Sequence, residues 1–239
     1  MNYKKKLDII IAGGGHAGVE AAHAACRLGA SVGLITMDAL AIGRMSCNPA
    51  IGGLGKGHLV QEIDALGGLM GEATDFSGIQ FKTLNKSKGR AVWSLRAQVD
   101  KIQYPKFIQK TLLAHSNLNI ITGEIVDFIV DKYKISSVVL ADGSVFSTHA
   151  LIVCSGTFLN GLIHVGNKNY PAGRYGEKPS VSLAENIIKK GFVSSRLKTG
   201  TPPRLDARTI DWQHAEVAGG DDRPSPFSQT TPLPFQPKN

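Results

Sequence analysis

The sequence predicts an α/β protein with a Rossmann-like parallel sheet, a β-meander and inserted segments, and three features near its start carry that prediction. Residues 7–12 form a short isoleucine-rich run that ends in glycines, residues 17–28 are alanine-rich with helical composition, and residues 31–36 are a second apolar run. A strand, a turn, a helix and a second strand within about 30 residues are typical of the opening of a parallel α/β sheet. Gly29 is suited to ending the helix between the two strands.

Composition excludes several classes of protein. The chain has 239 residues, enough for one large domain or two small ones. A charged fraction of 19% and a mean hydropathy of −0.04 exclude disorder throughout. No apolar run approaches the roughly 18 residues of a membrane helix. Asp8 interrupts the basic and apolar start, which argues against a signal peptide.

The cysteines are Cys26, Cys47 and Cys154, which are odd in number and far apart. This spacing argues against a disulfide framework and against a CxxC metal site, so we expect no metal site and a reducing, cytoplasmic environment. The histidines show no metal-ligand spacing either.

Positive charge is concentrated in two segments of a chain whose net charge is +8. Residues 82–110 contain eight basic residues and one acidic residue, and residues 168–208 contain nine basic and three acidic residues. Basic segments on a mildly acidic body are typical of proteins with a polyanionic partner, such as nucleic acid or a phosphate-rich cofactor. A solvated helix face explains the same charges equally well.

Four aromatic side chains lie within or beside the first basic segment: Phe81, Trp93, Tyr104 and Phe107. Aromatic rings among basic residues can stack on unpaired bases of single-stranded RNA. The alternative is that the rings form the apolar side of amphipathic elements, and we expect this of at least half of them.

The middle of the chain predicts further elements. Residues 59–66 have helical spacing and end at Gly67-Gly68, and residues 96–115 predict a helix that Pro105 would kink or break. Short alternating or apolar runs over 119–154, with a tight turn at 141–144, predict a β-meander that leads back to a buried strand.

The last third of the chain gives weaker signals. Ser182 and Glu185 are spaced as a capping box that would open a helix ending near Gly191. From Gly219 onward the sequence is rich in proline, glutamine, serine and threonine and predicts no regular element.

The most informative local motif is Gly13-x-Gly15-x-x-Gly18, which follows the first strand and opens the first helix. The first glycine allows a tight turn, the second lets the backbone approach a pyrophosphate, and the third permits close packing of helix on strand. The helix N-terminus adds N–H donors and a partial positive charge. The motif therefore predicts dinucleotide binding, and His16 within it contributes its backbone rather than its imidazole.

Two other candidate residues stay open on the sequence alone. Asp38 follows the second strand slightly later than the acidic residue that binds the ribose in dinucleotide-binding folds, so it is either that residue or a turn aspartate. Cys47 lies in the glycine-rich stretch 43–57 and is the candidate nucleophile, although an unreactive packed cysteine is the more common case.

Five segments together resemble the MnmG family, also called GidA. They are GGGHAGVEAAHAACRLGA (13–30), MSCNPAIGGLGKGHLVQEIDALGGLMGEATD (45–75), GIQFKTLNKSKGRAVWSLRAQVDK (78–101), SGTFLNGLIHVG (155–166) and RLKTGTPPRLDARTID (196–211). The stretch 46–57 is far more specific than the dinucleotide motif. The resemblance covers nearly the whole chain from Asp8 to about Asp211.

The resemblance implies an FAD-dependent enzyme of the bacterial tRNA wobble-uridine modification pathway. Its members work with the GTPase MnmE and add an aminomethyl or carboxymethylaminomethyl group to carbon five of the uridine. They use methylenetetrahydrofolate, ammonium or glycine, FAD and NADH, and they form homodimers that assemble with MnmE as a heterotetramer.

The resemblance also assigns roles to residues of this sequence. It implies FAD contacts at the following positions: Gly13, Gly14, Gly15, His16, Ala17, Gly18, Ile125 and Ser180. Cys47 matches one of two cysteines implicated in the family's activity, which favours a catalytic role for it. That the basic stretch 82–110 borders the tRNA or flavin site is our inference from its charge.

The sequence also departs from the family pattern. Arg90 stands where members usually carry proline, and the chain is much shorter than the family's members, lacking the second cysteine, the NAD-binding region and the C-terminal helical domain. We therefore expect residues 1–218 to be the N-terminal part of the FAD-binding domain, residues 219–239 to be an irregular tail at a truncation point, and the isolated chain to be inactive. A non-catalytic flavin- or RNA-binding remnant and a TrmFO-like folate- and FAD-dependent tRNA methyltransferase are the alternatives.

Overall fold

The computed structural model describes residues 3–45, 48–203 and 205–237. In chain order the helices and strands are β1 (Tyr3–Ala12), α1 (His16–Arg27), β2 (Val32–Thr36), β3 (Ala50–Gly52), α2 (Lys56–Ala65), α3 (Met70–Ser77), β4 (Gly78–Leu84), β5 (Ser94–Val99), α4 (Gln103–Leu113), β6 (Leu118–Thr122), β7 (Ile125–Asp131), β8 (Lys134–Leu140), β9 (Val145–Val153), β10 (Leu162–Val165), β11 (Lys168–Pro171) and α5 (Ser182–Lys189). They divide into two compact units. The first unit comprises Met1–Gly43 and Ile108–Ser195, and the second comprises Arg44–Phe107 and Arg196–Asn239.

The first unit is built on a six-stranded sheet in the order β6-β2-β1-β9-β8-β7. Strands β6, β2, β1 and β9 run parallel, and β7, β8 and β9 form an antiparallel meander. Strand β9 belongs to both parts, because residues 145–147 pair with β8 while pairing with β1 continues to Val153. The predicted parallel α/β sheet with a meander returning to a buried strand is confirmed.

One hydrophobic cluster of this unit joins side chains of the strands to Leu183 of helix α5. Its buried residues are Leu7, Ile10, Ala12, Ile35, Ile125, Phe128, Val138, Leu140, Phe146 and Leu183. Asn186 of α5 adds a side-chain hydrogen bond to the Val126 carbonyl oxygen of β7, at 2.9 Å. Burial of this apolar surface, at about 25 cal/mol per Å², is the main force that holds helix and sheet together.

The ends of two helices test the capping predictions. Helix α1 ends at Arg27 and Gly29 takes φ +83°, as the glycine signal predicts. The capping box at Ser182 is wrong: Ser182 is the first helical residue, and Val181 is the residue before it, without a side-chain hydrogen bond to the helix. The serine therefore lies one position too late to accept from the first turn.

The second unit contains the antiparallel sheet β3-β5-β4 and helices α2 and α3. The helix predicted over 96–115 is partly wrong, because residues 94–99 form β5 and α4 begins only at Gln103. Asp100 starts α4, since its Oδ1 accepts from the Ile102 and Gln103 N–H groups at 2.7 and 2.9 Å. Pro105 does not break the helix: the Tyr104 N–H donates to the Asp100 carbonyl oxygen at 3.1 Å and the Lys106 N–H to the Ile102 carbonyl oxygen at 3.4 Å, so helical bonds continue on both sides of the one that proline cannot make.

The segment from Gly219 onward has no helix or strand among its described residues, yet it packs into the second unit. Phe227 is only 2% exposed. Its N–H donates to Asp75 Oδ1 at 2.8 Å, while Ser228 N–H and Thr231 Oγ1 donate to Asp75 Oδ2 at 2.9 and 2.6 Å. Asp64 accepts from the Gln229 N–H at 2.9 Å. The two carboxylates therefore hold an irregular segment in place through its backbone.

Candidate cofactor-binding site

The carboxyl ends of four parallel strands meet at one edge of the first unit's sheet. Ala12 at the end of β1 is in register with Ile35 of β2 and Val153 of β9, and Thr36 of β2 is in register with Thr122 of β6. In open α/β sheets, ligands bind in the crevice outside these carboxyl ends. The topology therefore places the candidate site here.

The glycine loop lies at this edge and its conformation requires glycine. Gly13 has φ +109°, and a Cβ there would overlap the Cys154 carbonyl oxygen. A Cβ at Gly18 would overlap the Gly13 carbonyl oxygen, so α1 packs directly on the end of β1. A Cβ at Gly14 would come within 2.8 Å of the Ile42 side chain. Three of the loop's glycines are thus explained by packing within the protein.

Gly15 differs from these three because the protein itself does not need it to be glycine. Its φ of −73° suits any residue, and a Cβ there would meet no heavy atom within 4 Å. Within the described residues, no side chain caps the N-terminus of α1 and no acidic residue lies in its first turn. The start of α1 therefore presents N–H donors and the positive end of its dipole beside open space, which suits an anionic group.

The other loop positions from the motif lie in the first turn of α1. His16 is half-buried and Ala17 is exposed. His16 makes contacts with the rest of the protein. The backbone of this turn can contact a ligand without either side chain taking part.

Ile125 and Ser180 lie in the same unit as the glycine loop. Ile125 begins β7, three residues after β6 ends, and its side chain is 5% exposed within the core cluster, so only its backbone can face a ligand at the edge. Ser180 is 6% exposed and forms a backbone bridge to Leu159. Its hydroxyl finds no hydrogen-bond partner among the described residues. A buried hydroxyl without a partner is costly and is a reason to expect an external polar group.

Asp38 lies in the turn after β2. Its Oδ1 accepts from the Leu40 N–H at 2.9 Å and so caps the short 3₁₀ turn Ala39–Ala41. This capping bond uses one carboxylate oxygen and accounts for an aspartate at this position.

Cys47, the predicted catalytic residue, lies outside the described residues, together with Ser46. The other two cysteines are free thiols: Cys26 is buried on α1 and Cys154 is half-buried after β9. Burial raises the pKa of both thiols, so less of each is present as the reactive thiolate at neutral pH.

The glycine-rich stretch continues into the second unit and contains a lysine that sequence reasoning missed. Gly52, Gly53 and Gly55 all have positive φ, and α2 begins at Lys56. The Lys56 ammonium donates to the Ala50 carbonyl oxygen at 3.2 Å. Burial of the ammonium among protein atoms lowers the pKa of Lys56. The signal in the sequence was a lysine directly after a glycine run.

Metal ligation and membrane spanning find no support in the described part of the chain. There, no group of three or more histidine, cysteine, aspartate or glutamate side chains is placed to hold a metal ion. No helix among the same residues is both long and apolar enough to span a membrane.

Comparison with known protein families shows which family the chain belongs to. Residues 8–236 match the family described as "GIDA: Glucose inhibited division protein A". The chain belongs to the GidA family. The resemblance found in the five sequence segments is thereby confirmed, and it is favoured over the TrmFO-like alternative.

Relatives and solved structures agree with this assignment. The chain is 52% identical over 230 residues to the tRNA uridine 5-carboxymethylaminomethyl modification enzyme MnmG of Thermodesulfovibrio yellowstonii, and 54% identical over 226 residues to the enzyme of the same name from Campylobacter hominis. These alignments cover 96% and 95% of this chain but 37% and 35% of the relatives. The crystal structure of Aquifex aeolicus GidA superposes with a TM-score of 0.89 at 50% identity, covering 95% of this chain and 38% of that one. The chain therefore spans little more than a third of the length of the GidA proteins it matches.

Proposed function

We propose that this chain supplies the FAD-binding portion of an enzyme that modifies the wobble uridine of tRNA. The observation that carries the proposal is the open space at Gly15, beside the uncapped N-terminus of α1, in a member of the GidA family. The relatives' names describe the modification of tRNA uridine, and the fold supports a dinucleotide at the carboxyl edge of the sheet.

The residues present fit FAD on two counts. The N–H groups at the start of α1 would bind the pyrophosphate, and Gly15 would let its backbone come close to it. The partnerless hydroxyl of Ser180 would gain a hydrogen-bond partner on the cofactor. Ile125 would contribute its backbone, since its side chain packs in the core. When bound, FAD would supply the redox chemistry of the modification.

The remaining parts of the proposed function concern the whole enzyme. They comprise Cys47 as the catalytic thiol, NADH and methylenetetrahydrofolate as co-substrates, tRNA as substrate, and a cytoplasmic assembly of a homodimer with the GTPase MnmE. These parts of the proposal rest on membership of the GidA family and on the names of the relatives.

The test is FAD binding by the purified chain. Equilibrium dialysis and flavin absorbance would compare the wild type with Gly15→Ala, and with Gly200→Ala as a matched control. A methyl group added at either glycine would meet no heavy atom within 4 Å and neither glycine has a positive φ, but Gly200 lies in the second unit. We expect one FAD per wild-type chain, unchanged binding by Gly200→Ala, and at least tenfold weaker binding by Gly15→Ala, which corresponds to about 1.4 kcal/mol.

Two results would count against the proposal. One is a folded wild-type chain, with its helix and strand content verified by circular dichroism, that binds no FAD. The other is Gly15→Ala binding FAD as tightly as the wild type, because the loop would then not be the site.

A further inference from the structure

The loop that joins β4 to β5 is an exposed projection of the second unit. It comprises residues 85–93, since Leu84 of β4 pairs with Ser94 of β5. Residues 86–91 are all exposed. Asn85 adopts φ +62°, its carbonyl oxygen accepts from the Lys88 N–H at 2.9 Å, and its side chain donates to the Val92 carbonyl oxygen at 3.2 Å. The loop is therefore held in one conformation by its own hydrogen bonds.

The loop carries positive charge that is mostly not neutralised. Residues 82–96 contain five basic residues and no acidic residue. Lys86 pairs with Asp221 at 2.9 Å. Among the described residues, no ion pair neutralises Lys88 or Arg90, and both are exposed. A projecting loop with free cations attracts a polyanion.

The structure separates the aromatic residues of this region by exposure. Phe81 and Tyr104 are 4% and 1% exposed and belong to the core, whereas Trp93 is 39% exposed. The Trp93 indole N–H donates to the Lys88 carbonyl oxygen at 3.0 Å, which fixes the ring. The Arg90 guanidinium carbon lies 5.7 Å from the centre of the Trp93 ring. The loop thus presents a fixed indole next to a guanidinium, two planar groups on which nucleobases stack.

We propose that the loop 85–93 binds unpaired bases of RNA, with Trp93 and Arg90 as the stacking surface and Lys88 as a phosphate contact. This deepens the proposed function and rests on it, because a tRNA offers unpaired bases in its loops. An acidic protein surface, as an alternative partner, would bind the positive charges of the loop but would not need the fixed Trp93 indole. The exposed neighbours of Trp93 are mostly polar or charged, which does not suit insertion into a lipid surface.

The test uses Trp93 as its own reporter. The chain has two tryptophans, Trp93 and Trp212, so a Trp212→Phe background leaves Trp93 as the sole indole. This protein would be titrated with a single-stranded oligouridylate of about 12 nucleotides, an RNA duplex of the same length, and inorganic polyphosphate. We expect strong quenching by the single strand and little by the other two, because only unpaired bases can stack on the ring.

Variants then assign the contacts, with fluorescence anisotropy of the labelled oligouridylate as the readout. We expect Trp93→Ala to weaken binding at least fivefold and Trp93→Phe, which keeps a stacking ring, to bind nearly as the wild type. Lys88→Gln is expected to weaken binding and to reduce the salt dependence by about 0.7 in log–log slope, because it removes a phosphate contact, whereas Arg90→Gln weakens binding by removing a stacking plane. Lys134→Gln is the matched control, because it removes one exposed positive charge at the start of β8, in the other unit.

The outcomes separate this inference from the proposed function. Equal binding of polyphosphate and RNA without quenching, or Trp93→Ala binding like the wild type, overturns the stacking site. If the same preparation still binds FAD, the proposed function stands. Quenching by the single strand in a chain that binds no FAD would support the loop as an RNA contact and count against the flavin site.

Discussion

Truncating Asp75 to alanine is expected to destabilise the second unit by about 3 kcal/mol at pH 7. Asp75 is 5% exposed and accepts three hydrogen bonds from the segment 227–231. Alanine would leave two buried backbone N–H groups, those of Phe227 and Ser228, without an acceptor, and each orphaned group costs about 1–3 kcal/mol. Relief of the buried charge offsets part of this sum.

Asparagine at the same position separates hydrogen bonding from charge. Burial raises the pKa of Asp75, with Asp64 nearby adding to the rise, and the hydrogen bonds from Thr231, Phe227 and Ser228 oppose it. The folded protein therefore favours a neutral group here. Asparagine keeps one carbonyl acceptor and carries no charge, but its NH2 group cannot accept from the second backbone N–H, so we expect Asp75→Asn to cost about 1–2 kcal/mol, less than Asp75→Ala.

The raised pKa also fixes the direction of the pH dependence. Between the unfolded pKa of 3.8 and the higher folded value, the folded state binds more protons than the unfolded state. The contribution of Asp75 to stability therefore rises as the pH falls from neutral through the folded pKa, and it is fully present below 3.8. Neither variant should show this contribution.

Urea unfolding followed by tryptophan fluorescence is the appropriate measurement, since both tryptophans lie in the second unit. Unfolding free energies at pH 7 and pH 5 would be compared for the wild type and the two variants. If Asp75→Ala lies within about 0.5 kcal/mol of the wild type, or if Asp75→Asn costs as much as Asp75→Ala, the account of this clamp is wrong.

Two further predictions concern the first unit and the cysteines. Gly18→Ala should lower the unfolding free energy by about 1–3 kcal/mol, because its methyl group overlaps the Gly13 carbonyl oxygen. Gly15→Ala should melt close to the wild type, because its methyl group meets no heavy atom within 4 Å, and equal melting temperatures of the two variants would contradict this prediction. Iodoacetamide at pH 7 should label Cys47 before Cys26 and Cys154, whose pKa values are raised by burial, and peptide mass spectrometry showing either of those two labelled first would refute it.

The sequence predicted well wherever local pattern and tertiary structure agree. The apolar run 7–12 located β1, although the strand begins earlier, at Tyr3, and the apolar run 31–36 located β2. Helix α1 ends just before a turn at Gly29, as the glycine signal predicts. The Gly-x-Gly-x-x-Gly motif predicted the conformation of the loop, because close backbone approaches at Gly13 and Gly18 exclude any side chain. The meander was visible as alternating runs separated by turn residues.

The features that the sequence missed depend on contacts distant in sequence. Residues 96–99 were predicted to be helical, yet pairing with β3 and β4 makes them part of a strand. The segment from Gly219 onward has no periodicity, and its order comes from carboxylates more than 150 residues earlier. The partnerless hydroxyl of Ser180 likewise has no local signature, and the sequence could not show that Trp93 is exposed while Phe81 and Tyr104 are buried.

The clamp at Asp75 also bears on how the chain is made. Asp75 and Phe227 are separated by 152 positions in the sequence. During translation, all of the first unit's later strands are therefore synthesised before the segment that Asp75 binds. Closing so long a loop costs chain entropy and is slow. The hydrogen bonds to Asp75 add no stability until residues 227–231 have reached it. The second unit can thus mature only after the first has had time to fold, and a nascent chain paused before residue 227 would carry an unclamped α3 that chaperones or proteases can reach.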